Sequence, residues 1–409
     1  MARSLATRGA GQCARHRRST LRCCAAADVG RRDLLAAGSA ALLPAWAPSS
    51  AASSLFATLA AEPLPRVPRG APLGLNGVLP SAVIKGCWQL SGGHRGDAAT
   101  DRTTGKPAVA DFSAFVAAGI DTFDAGPEAC GYGPAELLVG QYVASLGAAE
   151  QRPLLFTKLC CVGGEQSAMS ADFVRSSVKR AAQRLQAPRI DVMQIYWNDL
   201  AYKKDLLSCA QLLQEERDAG RVGAVAYTNM PTSVLASLHD AGVETAAHQI
   251  QFSLLDRRPL KQQAAWCRSS GCKLLPYGVL AGGLLSDAYL GQPASAVKLD
   301  TSSKRKYGSV LAQAGSWAWF QRLLTVLRAV GDAHGGASVA NVAARWVLEH
   351  DFVGSVILGA RNARNVADHQ RLFAFALTEG DKAAIQAVLD EGIQPKGDTY
   401  DWERGAGPF

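Results

Sequence analysis

The chain has 409 residues, nearly half of them apolar (48%), enough for one large core or two ordinary domains. Its net charge of +8 would admit a nucleic-acid partner, but six of those charges fall in residues 1–60, where eight Arg face only Asp28 and Asp33. The body that follows is close to neutral, which excludes nucleic acid as an expected partner.

In chain order, "MARSLATRGAGQCARHRRSTLRCCAAADVG" is rich in Arg, Ala and Ser and holds one acid, the composition of an organellar transit peptide. "GRRDLLAAGSAALLPAWAPSSAASS" then pairs Arg31 with Arg32 ahead of an apolar run and small residues, which resembles a twin-arginine signal. A single transit peptide with a chance Arg pair is the other reading. The run Leu34 to Trp46 is too short to span a bilayer, so no transmembrane segment is expected in the mature chain. Residues 1–65 are therefore read as leader and linker, 75–395 as one folded domain and 396–409 as a tail. The expected address is the chloroplast, stroma or thylakoid lumen. Removing Cys13, Cys23 and Cys24 leaves seven cysteines without a CxxC pair, so neither a zinc site nor a disulfide framework is expected.

After "EPLPRVPRGAPLG", eight apolar runs alternate with helical patterns. The predicted strands are Val83–Trp88, Thr122–Asp124, Leu154–Leu159, Asp191–Trp197, Val222–Asn229, Ala247–Ser253, Lys273–Leu280 and Val353–Ala360. Near-continuous apolar strands suit a parallel sheet covered on both faces. The helical patterns include "SADFVRSSVKRAAQRLQ" and "KDLLSCAQLLQEERDAG", the second stopping at Gly220. Further helices from Trp317 to Asp351 thicken the last repeat. This alternation predicts an α/β (β/α)8 TIM barrel in a single domain. The rival is a doubly wound open sheet, which would normally carry GxGxxG after its first strand; the segment there is "GCWQLSGGH".

In a barrel the active site lies at the carboxyl ends of the strands. Those ends carry Trp88, Asp124, Lys158, Tyr196, Trp197, Thr228, Asn229, Gln249, Tyr277 and Gly359 to Arg361. Lys158 and Asp124 end neighbouring strands, either as a catalytic pair or as an ion pair closing the rim. With no metal-ligand cluster and no nucleophile elbow, such a ring suits a bound cofactor that carries the hard chemistry.

From about Leu75 to Ile393 the chain resembles the aldo-keto reductases, through "GCWQLSGGH", "FSLLDRRP", "YGVLAGGLL" and "ANVAARWVLEH", segments like those of a bacterial and algal branch. The resemblance implies a barrel that binds NADP(H) and passes hydride between nicotinamide and a small-molecule carbonyl or alcohol. It implies an Asp, Tyr, Lys, His tetrad, matched here by Asp124 in "GIDTFDAG" and Lys158 in "LLFTKL". The Lys cation is expected to lower the Tyr pKa. The tyrosine matches Tyr132 in "CGYGPAELLVG", three residues later than usual, against the alternative of a loop tyrosine outside the chemistry. The histidine position is Tyr196 in "IYWND", a phenol where relatives carry an imidazole. Trp88 and Trp197 are expected at the substrate pocket.

For the cofactor, the resemblance implies Thr228, Asn229 and Gln249 at the nicotinamide carboxamide and Tyr277 stacked on its ring, followed by Gly278 and Leu280. It implies Gly359 and Ala360 at a phosphate, with Arg361 and Arg364 at the ribose 2′-phosphate and Asp368 near the adenine. Asp368 and His369 stand where relatives more often have Glu and Asn. The run Lys304 to Ser309, "KRKYGS", is read either as a loop over the cofactor or as a solvated charge run. The expected function is an NADPH-dependent reductase of small aldehydes or ketones, with a sugar dehydrogenase as a second enzyme option. A cofactor-binding regulatory or redox-sensing protein with little turnover, its tetrad His replaced by Tyr196, is the alternative.

Overall fold

The structure is a computed structural model that describes residues 64–92, 102–166, 169–200, 203–398 and 400–401. The leader to residue 63, with the targeting expectations attached to it, and the tail from residue 402 lie outside the described residues.

Eight strands form: β1 (Val83–Gly86), β2 (Thr122–Asp124), β3 (Leu154–Cys161), β4 (Ile190–Trp197), β5 (Val222–Thr228), β6 (Ala247–Gln251), β7 (Lys273–Tyr277) and β8 (Val356–Gly359). Their order is β7-β6-β5-β4-β3-β2-β1-β8, each pair parallel. The two outer strands meet beside a parallel bridge between Leu274 and Val353, where Leu274 N–H donates to Phe352 O and Gly354 N–H to Leu274 O, both at 2.8 Å. That closure makes the sheet a barrel and removes the open-sheet rival.

The strand pattern splits the core in two. Alternate residues point into the lumen, where Ile84, Phe156, Val192, Ala224, Ala226, Ala247, Leu275 and Ile357 pack together. Leu73 and Val78, paired in an antiparallel turn before β1, join this cluster and plug the amino-terminal end. Continuing along the same inward faces towards the carboxyl ends brings up Lys158 after Phe156, Gln194 after Val192, Gln249 after Ala247 and Tyr277 after Leu275. The lumen is thus apolar at one end and polar at the other, and the polar end is the site.

Outside lie α1 (Gly105–Ala117), α2 (Ala135–Ala144), α3 (Ala171–Arg184), α4 (Lys203–Asp218), α5 (Thr232–Asp240), α6 (Gln262–Ser270), α7 (Ser302–Ala314), α8 (Trp317–Ala333), α9 (Val339–Leu348), α10 (Val366–Arg371) and α11 (Glu379–Asp390). Ser170 caps α3 by accepting from Phe173 N–H, and Gly220 follows α4 at φ 75°. No helix among the described residues is long and apolar enough to cross a membrane.

Two expectations are corrected here. Lys304 to Ser309 is neither a loop nor a free charge run: it lies in α7, which buries Tyr307, Val310 and Leu311. Trp197 does not line a substrate pocket. With Tyr196 turned into the lumen, pleat parity sends Trp197 outward, where it is fully buried with the layer beneath the helices.

Candidate active site

Asp124 closes β2 at the polar end of the lumen, and four side chains converge on its carboxylate. Lys158 Nζ lies 3.0 Å from both oxygens, Gln194 Nε2 donates to Oδ1 at 2.7 Å and Gln249 Nε2 to Oδ1 at 2.8 Å. The Tyr132 hydroxyl donates to Oδ2 at 3.2 Å. Lys158 also donates to Ala125 O at 2.9 Å. Asp124 and Lys158 are nearly sealed from water, at 2% and 5% exposure, so their pairing is strengthened by the low local dielectric. Gln194 escaped the sequence reading although parity from Val192 to Tyr196 turns it inward.

Tyr132 reaches this cluster because its loop folds back over β2. The loop runs from Pro127 to Pro134 through a short 3-10 turn at Glu128–Cys130 and a left-handed Gly131. Its ring lies against Gly126, where a Cβ would stand 2.7 Å from the ring, and the following Gly133, at φ 52°, sits against the Ser91 backbone. Lys158 Nζ lies over the other part of the ring, 4.3 Å from its centroid. The displaced tyrosine thus joins Asp124 and Lys158.

Burial, and then the adjoining Asp124 carboxylate, push the Tyr132 phenol well above its ordinary value. The expected lowering by Lys158 is reversed, because that ammonium faces the ring and is neutralised by Asp124. Burial pulls the Lys158 ammonium below its ordinary value, with Asp124 opposing. The phenol therefore rests protonated, the state of a proton donor.

Around this centre, Tyr196 stands on β4 between Cys160 of β3 and Thr228 of β5 in register, its hydroxyl donating to Asn198 Oδ1 at 3.3 Å. Trp88 sits beside the Tyr132 loop, its indole nitrogen 3.9 Å from where a Cβ on Gly131 would be. Thr228 Oγ1 donates to Gln249 O at 3.2 Å. Asn229 takes a left-handed φ of 59° at the end of β5 and accepts from the Tyr277 hydroxyl at 2.9 Å. Lys306 of α7 covers Tyr277, its Nζ 4.8 Å from the ring centroid. Gly278, at φ 68°, leaves space that the Tyr307 hydroxyl fills, and Leu280 enters the next 3-10 turn.

At the end of β8, Gly359 is exposed and lies against the Gln89 side chain, while Ala360 is buried. Gln89 Oε1 is buried with no hydrogen-bond partner among the described residues. Arg361 is half-buried and Arg364 exposed. Asp368 does not face the mouth. It accepts from Asn341 Nδ2 at 3.0 Å and Ser338 Oγ at 3.3 Å, and so ties α10 to the start of α9. His369 is buried beside the Phe115 ring of α1.

One cysteine expectation fails. Cys130 in the Tyr132 loop and Cys160 on β3 are disulfide-bonded, with Cα atoms 5.8 Å apart. Thirty residues separate them, and only the fold of the loop over β3 brings them together. The other described cysteines, 87, 161, 209, 267 and 272, are buried and free, as expected. No group of three or more His, Cys, Asp or Glu placed to hold a metal occurs among the described residues.

Residues 82–390 match the sequence profile of the aldo/keto reductase family. The chain belongs to the aldo/keto reductase family. Membership makes it an oxidoreductase by family. An aldo-keto reductase of Bacillus subtilis is 22% identical over 322 residues, covering 78% of this chain and 92% of the relative. A 6-dehydroglucose reductase of Novosphingobium aromaticivorans is 29% identical over 194 residues, covering 47% of this chain and 62% of the relative. Among solved structures, a glycerol dehydrogenase of Gluconobacter oxydans superposes with a TM-score of 0.65 at 23% identity, over 81% of this chain and 97% of the other. A Klebsiella pneumoniae aldo/keto reductase in complex with NADP and acetate gives 0.59 at 18%, over 81% and 98%. Both are alike in fold.

Proposed function

We propose that this protein is an NADP(H)-dependent reductase of small aldehydes or ketones, with Tyr132 as its proton donor. The observation that carries the reading is the buried cluster of Tyr132, Asp124 and Lys158 at the open, polar end of the barrel. The cofactor assignment is supported by the donor set. Arg361 and Arg364 offer forked guanidiniums at the end of β8 that match phosphate oxygens. The orphaned Gln89 acceptor lies at the same end. The Klebsiella pneumoniae relatives in complex with NADP and with NADPH point the same way. Gln249 spends one amide hydrogen on Asp124 and retains a second for the carboxamide. Lys306 occupies one face of Tyr277, so stacking there requires that side chain to swing away.

When bound, the nicotinamide supplies the hydride. The chain's own residues handle the proton. Tyr132 gives its phenolic proton to the carbonyl oxygen as that oxygen gains charge, and the resulting phenolate lies under the Lys158 ammonium. Asp124 holds that ammonium in place, and Gln194 and Gln249 hold Asp124. Tyr196 offers one O–H to the same oxygen where the resemblance calls for an imidazole; loss of a well-placed donor costs about 10²- to 10³-fold in turnover.

The test is titration of the purified chain with NADPH and NADH, followed by turnover on a panel of short aldehydes, ketones and aldoses. NADPH oxidation with at least one aldehyde or ketone, and tighter binding of NADPH than NADH, is the expected result. Tight NADPH binding without oxidation anywhere on the panel contradicts it.

A further inference from the structure

The disulfide joins two elements of the catalytic centre. Cys160 is two residues beyond Lys158 on the same inward face of β3, and Cys130 is two residues before Tyr132. The backbone of the turn between Pro127 and Tyr132 bonds within itself, Cys130 N–H to Pro127 O at 3.0 Å, Gly131 N–H to Glu128 O at 2.8 Å and Tyr132 N–H to Pro127 O at 3.4 Å, and the Tyr132 hydroxyl adds a bond to Asp124. Cys130–Cys160 is its covalent tie to the barrel wall. Cys160 is also reachable, since it lines a cavity of about 590 Å³ together with Lys158, Ser91, Pro127, Ala129 and Gly133.

We propose that Cys130 and Cys160 form a reversible redox site that controls the placement of Tyr132, the oxidised form holding the tyrosine on Asp124 and Lys158 and the reduced form releasing its loop. The proposal rests on Tyr132 being the proton donor. The exchange partner is a dithiol. One of its thiolates attacks the Cys160 sulfur from the cavity, the S–S bond breaks, and Cys130 leaves as a thiolate that takes up a proton. The dithiol's second thiolate then attacks the mixed disulfide, freeing Cys160 as a thiol and leaving the reductant as a disulfide. Two electrons and two protons pass from the dithiol to the protein, and a small disulfide reverses the exchange. The Cys87 thiol near Asp124 and Lys158 does not compete, because burial pushes it up to about 11.

A structural disulfide would change thermal stability and leave the active site alone, so the test reads the site directly. The full chain is treated with reduced dithiothreitol or with oxidised glutathione, and free thiols are counted by alkylation and mass. Hydrogen exchange over residues 126–134 and NADPH-dependent turnover are then compared between the two states. Reduction should expose two further thiols, speed exchange in that segment and lower kcat on the order of ten- to hundred-fold with KM for NADPH unchanged. Reoxidation should restore it. Cys130→Ser, in an exposed turn, and Cys160→Ala should each match the reduced state and ignore both reagents, whereas Cys267→Ala, on the buried face of α6, should respond like the parent chain. Equal exchange and equal kcat in the two states overturn the proposal. If no substrate is turned over in either state, the reductase reading fails, and hydrogen exchange alone then decides the redox site: faster exchange on reduction supports it, unchanged exchange overturns it.

Discussion

At the scale of single residues, the site turns on two phenols with unlike surroundings. Tyr132 is buried against the Asp124 carboxylate, which keeps its proton in place and makes it the acid. Tyr196 is half-exposed, and its hydroxyl donates to Asn198 Oδ1 at 3.3 Å. Substituting Tyr196→His supplies a shorter donor with a second nitrogen to orient it. We expect kcat for aldehyde reduction to rise by about tenfold, part of the 10²- to 10³-fold value of such a donor. Unchanged or lower turnover in Tyr196→His would mean that the phenol already fills the role. Asp124 and Lys158 were legible in the sequence, because a charged residue ending an apolar barrel strand has nowhere to go but the mouth. Gln194 was missed and Trp197 was placed at the pocket, although strand parity turns Gln194 into the lumen and Trp197 out of it. Tyr132 was not legible from pattern, since its position depends on how an eight-residue step from Asp124 folds back.

At the scale of elements, β1, α1 and α10 meet around a buried cation that the sequence did not flag. Lys85 points out of the barrel, with Nζ 5.1 Å from the rings of both Phe112 and Phe115 and no hydrogen-bond partner among the described residues. Two cation–π contacts offset part of the desolvation cost, about 2 kcal/mol for each. We expect Lys85→Met to hold or raise stability, by about 1 kcal/mol in chemical denaturation, because an apolar side chain of similar length removes an unsatisfied buried charge. A clear loss would show the cation to be a net stabiliser. The same contact governs acid sensitivity. His369 is lowered from 6.5 to about 4, by burial first and then by Lys85. Its folded-state value lies below its unfolded one, so this contribution to stability is present above pH 6.5 and lost as pH falls towards 4. Lys85→Met should shrink that acid loss, measured as the slope of unfolding free energy against pH. Helix α7 shows the limit of pattern reading at this scale. A cluster of Lys and Arg looks solvated in the sequence, yet Tyr307 within it anchors the helix on the loop after β7 and carries Lys306 to Tyr277.

At the scale of the whole molecule, the lumen separates stability from chemistry. The amino-terminal end is an apolar plug and the carboxyl end a polar ring, so damage to one should spare the other. Leu73→Ala, which removes a fully buried side chain from the plug, should cost about 2 to 5 kcal/mol of stability while kcat of the folded protein stays near the parent value. A parallel loss of kcat would mean that the two ends are coupled. The eight-fold alternation was readable because every strand is covered on both faces and so written as an apolar run. The Cys130–Cys160 bond was not, because it joins residues distant in sequence through tertiary packing alone. Tyr132 giving the proton is the step on which reduction depends, and it is checked by NADPH oxidation and NADPH binding measured side by side for the parent chain and Tyr132→Phe. Tyr132→Phe should bind NADPH as the parent does and lose turnover by at least about 10²-fold, the range for a general acid. Turnover equal to the parent's in Tyr132→Phe would contradict proton donation by Tyr132.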